Sequence, residues 1–404
     1  MRTKNSLAED KYKIAFVNQS TGSLFKELVE DLSLKWYPSI LYTGFVMGKF
    51  SNNTNGKLDV ELLNPHIRKS NISRLTSGLG YFFHLFKKSF KKKHNIMFII
   101  SNPPYIIFLG LILKKLIGQR YIILVYDIYP DILIGLKSFS NSTIFIKIWR
   151  ILNKITYENS DAVITIGNNM KNTLVNQFDP QKTVIGEIIV IPNCADPDYV
   201  NPIPKKNNLF AKKFQQIDKI TVMYSGNFGN AHSFNIILKA AKTLLDQPKI
   251  NFFLIGEGIK KKYINDAIKL DNLINVISLP FQNNFDFPKS ISCADIAIIT
   301  MAIGSENLMV PGKIYYSMAV GSALIGITGS NSELEKIITK FDCGLVVDPE
   351  NEEALKNAIL YFKKNKWFLD RCKRNSHAAF LKYYTRQNTT EQYFSLLENI
   401  YIRK

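Results

Sequence analysis

Lys313 is the first residue of this chain that asks for chemistry. It follows Pro311 and Gly312 in MVPGKIYYSMAVG (309–321), where a turn runs into a helical stretch with Ile314, Met318 and Val320 on one face. A lysine at a helix start opposes the positive end of the helix dipole. Either its ammonium reaches back into water, or a bound anion removes the conflict. Tyr315 and Tyr316 follow where a solvent-facing polar residue is expected, and Glu306 lies in the loop just before. A second turn of this kind is YSGNFGNAH (224–232). There Gly226 and Gly229 let a backbone approach a ligand closely, and the next helix offers free N–H groups to phosphate oxygens. Any strand–helix turn favours glycine, however, and the spacing is not that of the dinucleotide fingerprint. Asp127 ends the apolar stretch YIILVYD (121–127); an aspartate there is either a general base or positioning group, or a capping residue.

The elements that must hold these residues alternate between short apolar strands and amphipathic helices, the pattern of parallel α/β sheets. Strands are expected at 13–19, 95–104, 121–127, 161–167 and 187–193, with helices at 23–36 and 105–118. A proline-rich stretch, DPDYVNPIPKKNN (196–208), reads as a linker. A second series follows, with strands at 219–229, 251–258, 275–281, 295–300, 322–328 and 343–349, and helices at 233–245 and 352–365. A last helical region is expected over 376–402. The fold class is therefore α/β with two Rossmann-like parallel-sheet domains facing a cleft, residues 1–200 and 201–375, and a helical tail 376–404 packing back toward the first. Ligands of such sheets bind at the carboxyl ends of the strands.

The 404 residues suffice for two packed cores, with 46% hydrophobic and 12% aromatic content arguing against disorder. Fifty-two lysines and arginines against 33 acids give +19, which favours anionic partners. A chain rich in Lys, Asn and Ile also acquires such charge by composition alone. Cys194, Cys293, Cys343 and Cys372 are isolated, with no metal-ligand spacing, which fits a reducing cytosol and no metal site. The N-terminal MRTKNSLAEDKYK has no apolar core, and the longest apolar run, 105–113, is too short to span a bilayer. A cytoplasmic protein, soluble or peripheral on the inner face of the membrane, is expected.

Taken in order along nearly the whole chain, these stretches resemble the retaining GT-B glycosyltransferases that build bacterial surface polysaccharides. The resemblance rests on DAVITIGNNMKNTLV (161–175), IPNCAD (191–196), YSGNFG (224–229), FFLIGEG (252–258), ADIAIITM (294–301) and ENEEALKNAI (350–359). The stretch 100–133, with Asp127, Tyr129 and Pro130, is similar to first domains of O-antigen, capsule and colanic-acid transferases. The resemblance implies a nucleotide-sugar donor, UDP-sugar favoured, and no metal or other cofactor. It implies a hexosyl- or N-acetylhexosaminyl-type transfer to a lipid-linked or oligosaccharide acceptor. It also implies donor contacts from Gly226, Asn227, Gly229, His232, Glu306, Tyr315 and Tyr316, with Lys313 on the leaving diphosphate. Asp127 would act on the acceptor, and Gly22 and Ser23 in the first-domain loop would face it.

The departures are specific. The family's glutamate pair falls on Leu308 and Tyr316, with Glu306 two positions out, and its Arg and Lys in the donor loop are Asn227 and His232. Rival readings are a nucleotide-sugar epimerase of the same fold, a noncatalytic nucleotide-sugar binder, and a basic nucleic-acid-binding protein. The last lacks interleaved stacking aromatics, so no nucleic acid is expected. In LGYFFHLFKKSFKKKHN (79–95), Leu79, Phe82, Phe83, Phe86 and Phe90 group opposite Lys87, Lys88, Lys91 and Lys92. This is either a domain helix with a solvated basic face or an edge facing an anionic membrane.

Overall fold

The structure is a computed structural model; it describes residues 12–67, 71–92, 94–137, 139–177, 187–229 and 232–402. The N-terminal stretch, Lys93, and Asn230 and Ala231 of the glycine turn lie outside the described residues.

The chain forms two compact units. The first comprises residues 1–130, 140–191 and 390–404, and the second 131–139 and 192–389. The order through the first sheet is β1 (Tyr12–Val17), α1 (Ser23–Lys35), β2 (Ser39–Thr43), β3 (Leu58–Leu62), α2 (Asn71–Lys91), β4 (His94–Ile100), α3 (Ile107–Ile117) and β5 (Arg120–Val125). Then come α4 (Asp131–Gly135), α5 (Ile144–Glu158), β6 (Ala162–Thr165), α6 (Asn168–Val175) and β7 (Glu187–Val190). The seven strands are parallel in the order β3-β2-β1-β4-β5-β6-β7. The inner strands β2, β1, β4, β5 and β6 are the near-continuous apolar runs of strands covered on both faces, whereas edge strand β3, LDVEL, has no buried residue.

The second series is α7 (Leu209–Lys213), β8 (Ile220–Ser225), α8 (Phe234–Thr243), β9 (Ile250–Ile255), α9 (Lys261–Leu270), β10 (Val276–Leu279), α10 (Phe287–Ile291) and β11 (Ile296–Thr300). It continues with α11 (Lys313–Ala319), β12 (Ala323–Ile327), α12 (Glu333–Lys340), β13 (Gly344–Val347), α13 (Glu352–Lys364), α14 (Lys366–Tyr383) and α15 (Arg386–Ile402). Six parallel strands run β10-β9-β8-β11-β12-β13. Its core gathers Phe234, Phe252, Ile298, Ile325 and Phe362. The order reverses between β8 and β11, which makes that gap the topological switch point where α/β sheets bind ligands.

Two expectations are corrected. The helical region over 376–402 is two helices, because Tyr384 and Thr385 leave helical geometry and Ala195 bridges Thr385. The basic stretch 79–95 ends as a helix at Lys91, and His94 already belongs to β4. The strands β2 and β3 and the helix α5 were not expected at all.

The proline-rich stretch before α7 is tied into the second unit. Asn208 caps α7 by accepting from the Phe210 and Ala211 N–H groups, and the Ile203 N–H donates to Ser292 Oγ at 2.6 Å. Lys205 pairs with part-buried Asp295, which also accepts from Lys373 Nζ at 3.0 Å and the Thr221 N–H at 3.0 Å. Burial alone would raise the Asp295 carboxyl; Lys373, Lys205 and the Thr221 N–H hold it below its ordinary value. Asp295→Ala strands two ammonium groups and is expected to destabilise the fold by roughly 3–5 kcal/mol. Urea denaturation checks this, and a wild-type midpoint would refute the stabilising role.

Candidate functional site

Three loops meet at the β8/β11 switch point. The first leaves β8 through Gly226, whose φ of +151° is open to glycine. The second leaves β9 through Gly256 and Gly258, at +154° and +148°. A methyl group on Gly256 would lie 1.9 Å from the Gly226 carbonyl oxygen, and one on Gly258 would lie 2.8 Å from Asn227 Oδ1. These glycines therefore let two strand ends close on each other, and they fix the Gly226–Asn227 backbone. Gly256→Ala is expected to cost roughly 1–3 kcal/mol by overpacking; an unaltered thermal midpoint would contradict it.

Lys313 opens α11 and bends its side chain over Gly226. Its Nζ lies 3.8 Å from the Tyr224 ring centroid, and a methyl group on Gly226 would come within 3.1 Å of it. The ammonium is buried and has no hydrogen-bond partner among the described residues. Burial lowers its pKa from 10.5 to about 7. The face of an aromatic ring attracts a cation, but it does not replace a counter-charge. An ammonium held dry and unpaired is costly, so this amine sheds its proton near neutral pH unless an anion supplies the counter-charge.

His232 Nδ1 lies 2.7 Å from Thr300 Oγ1 at the end of β11. Burial, then Lys313 and Lys260, push its pKa down to about 3, so the imidazole is neutral at physiological pH. It offers polar contacts, not charge. Lys260 donates to the His232 carbonyl at 2.8 Å, and burial lowers its pKa too. Two lysines thus converge on one neutral histidine. Asn227 turns its backbone carbonyl to the Tyr224 hydroxyl at 2.8 Å. Gly229 accepts the His232 N–H at 3.3 Å.

Glu306 lies in the loop between β11 and α11. Its Oε2 accepts the Gly304 N–H at 2.8 Å, and a methyl group on Gly329, just past β12, would meet Oε1 at 2.6 Å. Its carboxylate therefore reaches the same end of the sheet. Tyr315 turns inward, 1% exposed, with its ring 5.0 Å from Tyr384. Tyr316 is half-buried, edge-on to Phe287 at 5.5 Å. Adjacent helical positions point about 100° apart, so the pair divides, Tyr315 into the core and Tyr316 against Phe287 of α10. Gly321 is the left-handed residue after α11, at φ +69°.

In the first unit, Asp127 lies two residues beyond β5. Burial raises its carboxyl from 3.8 to about 6, and no hydrogen bond or ion pair reaches it among the described residues. Gly22 precedes α1 in the loop after β1, with open space where a side chain would be, and Ser23 begins the helix. Sequence reasoning missed Tyr224, Lys260 and Thr300. Lys260 follows a glycine turn at a strand's carboxyl end, a signal present in IGEGIKKK (255–262). The other two become visible only when β8 and β11 are placed side by side.

Residues 205–379 match the family model described as "Glycosyl transferases group 1". The match falls within the second unit. Around it, the chain is 24% identical over 302 residues to the probable glycosyltransferase WbjE of Pseudomonas aeruginosa, covering 72% of this chain and 73% of that protein. It is 25% identical to the putative colanic acid biosynthesis glycosyl transferase WcaI of Escherichia coli K12, covering 63% of each, so it spans just under two thirds of that relative. The structure of Anabaena HepE in complex with UDP-glucose superposes with a TM-score of 0.72 at 13% identity, covering 96% of this chain and 100% of that one. That likeness is one of fold: two parallel-sheet α/β units of the GT-B class. The matched residues span the whole Lys313–Gly226–His232 constellation.

Proposed function

We propose that the protein moves a glycosyl unit from a nucleotide sugar, a UDP-sugar in the first instance, to a lipid-linked or glycan acceptor. The transfer proceeds with retention, on the cytoplasmic side, in the synthesis of a bacterial surface polysaccharide. The observation that carries this reading is the buried, unpartnered Lys313 ammonium over Gly226 at the β8/β11 switch point. A donor diphosphate supplies the counter-charge that the ammonium lacks. As the glycosidic bond breaks, negative charge grows on the departing phosphate, and a cation fixed in advance stabilises that charge more than it stabilises the ground state.

Lys260 adds a second positive charge. The N–H groups about Gly226 and Gly229, with the Asn227 side chain, hold the phosphates, and neutral His232 offers a ring nitrogen. Glu306 accepts hydroxyl hydrogens of the donor sugar, and Tyr316 lines the ribose or sugar. No metal is needed in this scheme, because lysines provide the charge. Asp127 positions or deprotonates the acceptor hydroxyl, with the Gly22–Ser23 loop beside the acceptor. The names of WbjE and WcaI and the UDP-glucose held by HepE support this reading.

The test is a thermal-shift screen against UDP-, GDP- and CMP-sugars, followed by transfer of labelled sugar into a bacterial lipid extract. A shift with one nucleotide class and label in the lipid fraction are expected. A shift followed by epimerised donor without acceptor would replace the reading with an epimerase, and a shift with no chemistry would leave a binding protein.

A further inference from the structure

The helix α5 is folded inside out. Its inward side carries Asn153, Thr156 and Tyr157 with a single aliphatic residue, Ile146, and half-buried Trp149 stacks on Tyr129. Asn153 Nδ2 donates to the Tyr129 carbonyl at 2.6 Å, and the Tyr121 hydroxyl donates to the Thr156 carbonyl at 2.6 Å. Ile144, Phe145, Ile148, Ile151, Leu152 and Ile155 all face outward, with Ile144 70% and Ile151 58% exposed. At about 100° per residue these six span a continuous arc near 120° wide, with Lys147 and Lys154 along one edge. A helix that only covers its own sheet puts its apolar stripe inward.

The neighbours repeat the arrangement. The crossovers carrying α2, α3 and α5 advance across the first sheet in the same direction, so the rule of right-handed crossovers puts all three helices on one face. There α2 packs on α3 and α3 on α5. The buried side of α2 is Tyr81, Leu85 and Ser89, whereas Phe83, 59% exposed, and Leu79 and Phe90 point outward. The outward end of α3 holds Leu116, 60% exposed, and Ile117. The three helices together carry nine lysines and arginines against one acid, Glu158. An exposed apolar arc of this extent, repeated on neighbouring helices, marks an interaction site.

We propose that this face of the first unit lies on an anionic lipid bilayer, its isoleucines and phenylalanines at the acyl boundary and its lysines among the headgroups. The charge selects the occupant: a second copy would oppose like charges, whereas an anionic headgroup layer neutralises them while the acyl region takes up the apolar arc. The surface uses no residue of the donor site and does not depend on the sugar chemistry.

The experiment is co-sedimentation of the full chain with vesicles of phosphatidylcholine alone and of equal parts phosphatidylcholine and phosphatidylglycerol. Binding to the anionic vesicles at least about tenfold tighter, weakening with added salt, is expected. The double variant Ile148→Asp, Ile151→Asp is expected to lose at least about tenfold of that binding, with its melting temperature and nucleotide-sugar thermal shift unchanged. If that variant does not fold, Ile144→Ser with Ile155→Ser serves the same comparison. Equal binding to both vesicles, or a folded variant that binds as the wild type does, overturns the proposal. So does a wild-type dimer that the variant converts to monomer, which would give the face to a second copy. None of these outcomes touches the donor-site reading, which the nucleotide-sugar shift reports separately.

Discussion

Lys313→Met is expected to lower the transfer rate by roughly 10²–10³-fold, the scale for removing one preorganised charge-stabilising group, and to make the unliganded protein more stable. The two effects share one cause. The ammonium is buried without a counter-charge, and its pKa falls from 10.5 to about 7 on folding. Between those values the unfolded chain binds the proton more tightly than the folded one, so wild-type stability rises with pH through the window and is least below about 7. The upper bound of the penalty at low pH is about 5 kcal/mol at 1.36 kcal/mol per pKa unit. The methionine keeps the packing against Tyr224 and loses the charge, so its gain in melting temperature is expected to be larger at pH 6 than at pH 9. Donor binding runs the other way. A diphosphate favours the protonated amine, so the protein takes up about half a proton on binding at pH 7. Above that pH donor affinity falls, by at most about tenfold per unit. Calorimetry in buffers of different ionisation enthalpy reads the uptake, and thermal melts read the stability. A variant with wild-type turnover, affinity and melting temperature would remove Lys313 from the donor site.

The route to Lys313 shows what was legible in the sequence. Its conflict with the helix dipole is a local fact, visible in the order Pro311, Gly312, Lys313. The alternation of apolar runs with amphipathic segments likewise gave the two-sheet fold, because a strand buried on both faces reads as a continuous run such as IAIIT (296–300). Other features were not local. Thr300 and Tyr224 come together only through the β8–β11 pairing, which no spacing along the chain encodes. Tyr315 and Tyr316 are chemically alike, and only the packing of α11 shows which turns inward, Tyr315 meeting Tyr384. Periodicity also tells that a helix is two-sided without telling which side is wet. The phenylalanine group of α2 was readable as a stripe, yet Tyr81 and Leu85 fill the interior and leave much of that stripe outside. In α5 the rule that apolar residues pack inward fails for most of the helix: Asn153 donates to the Tyr129 carbonyl, the Thr156 hydroxyl to the Leu152 carbonyl, and six apolar side chains stay outside.

Asp127→Asn is the second large expected effect. Burial raises the carboxyl to about 6, and no cation reaches it among the described residues. A carboxylate with a pKa near neutrality is matched to general-base work, and removing such a base costs typically 10²–10⁴-fold. The wild-type rate should rise with pH through about 6 as the proton leaves; the asparagine variant should be slow and lack that limb. Because the folded pKa lies above the unfolded one, ionised Asp127 opposes folding at neutral pH, and its stabilising contribution is present only toward acid. The asparagine variant is therefore expected to melt at or above the wild-type temperature, which separates a lost base from a damaged fold. With Lys313 the consequence is a narrow optimum. Donor-limited turnover should rise through about 6, where Asp127 ionises, and fall above about 7, where Lys313 in the empty site loses its proton. Asp127→Asn flattens only the acid limb and Lys313→Met only the alkaline one. Wild-type turnover in Asp127→Asn rules out general-base chemistry, and a raised acceptor KM with unchanged kcat assigns the side chain to positioning alone.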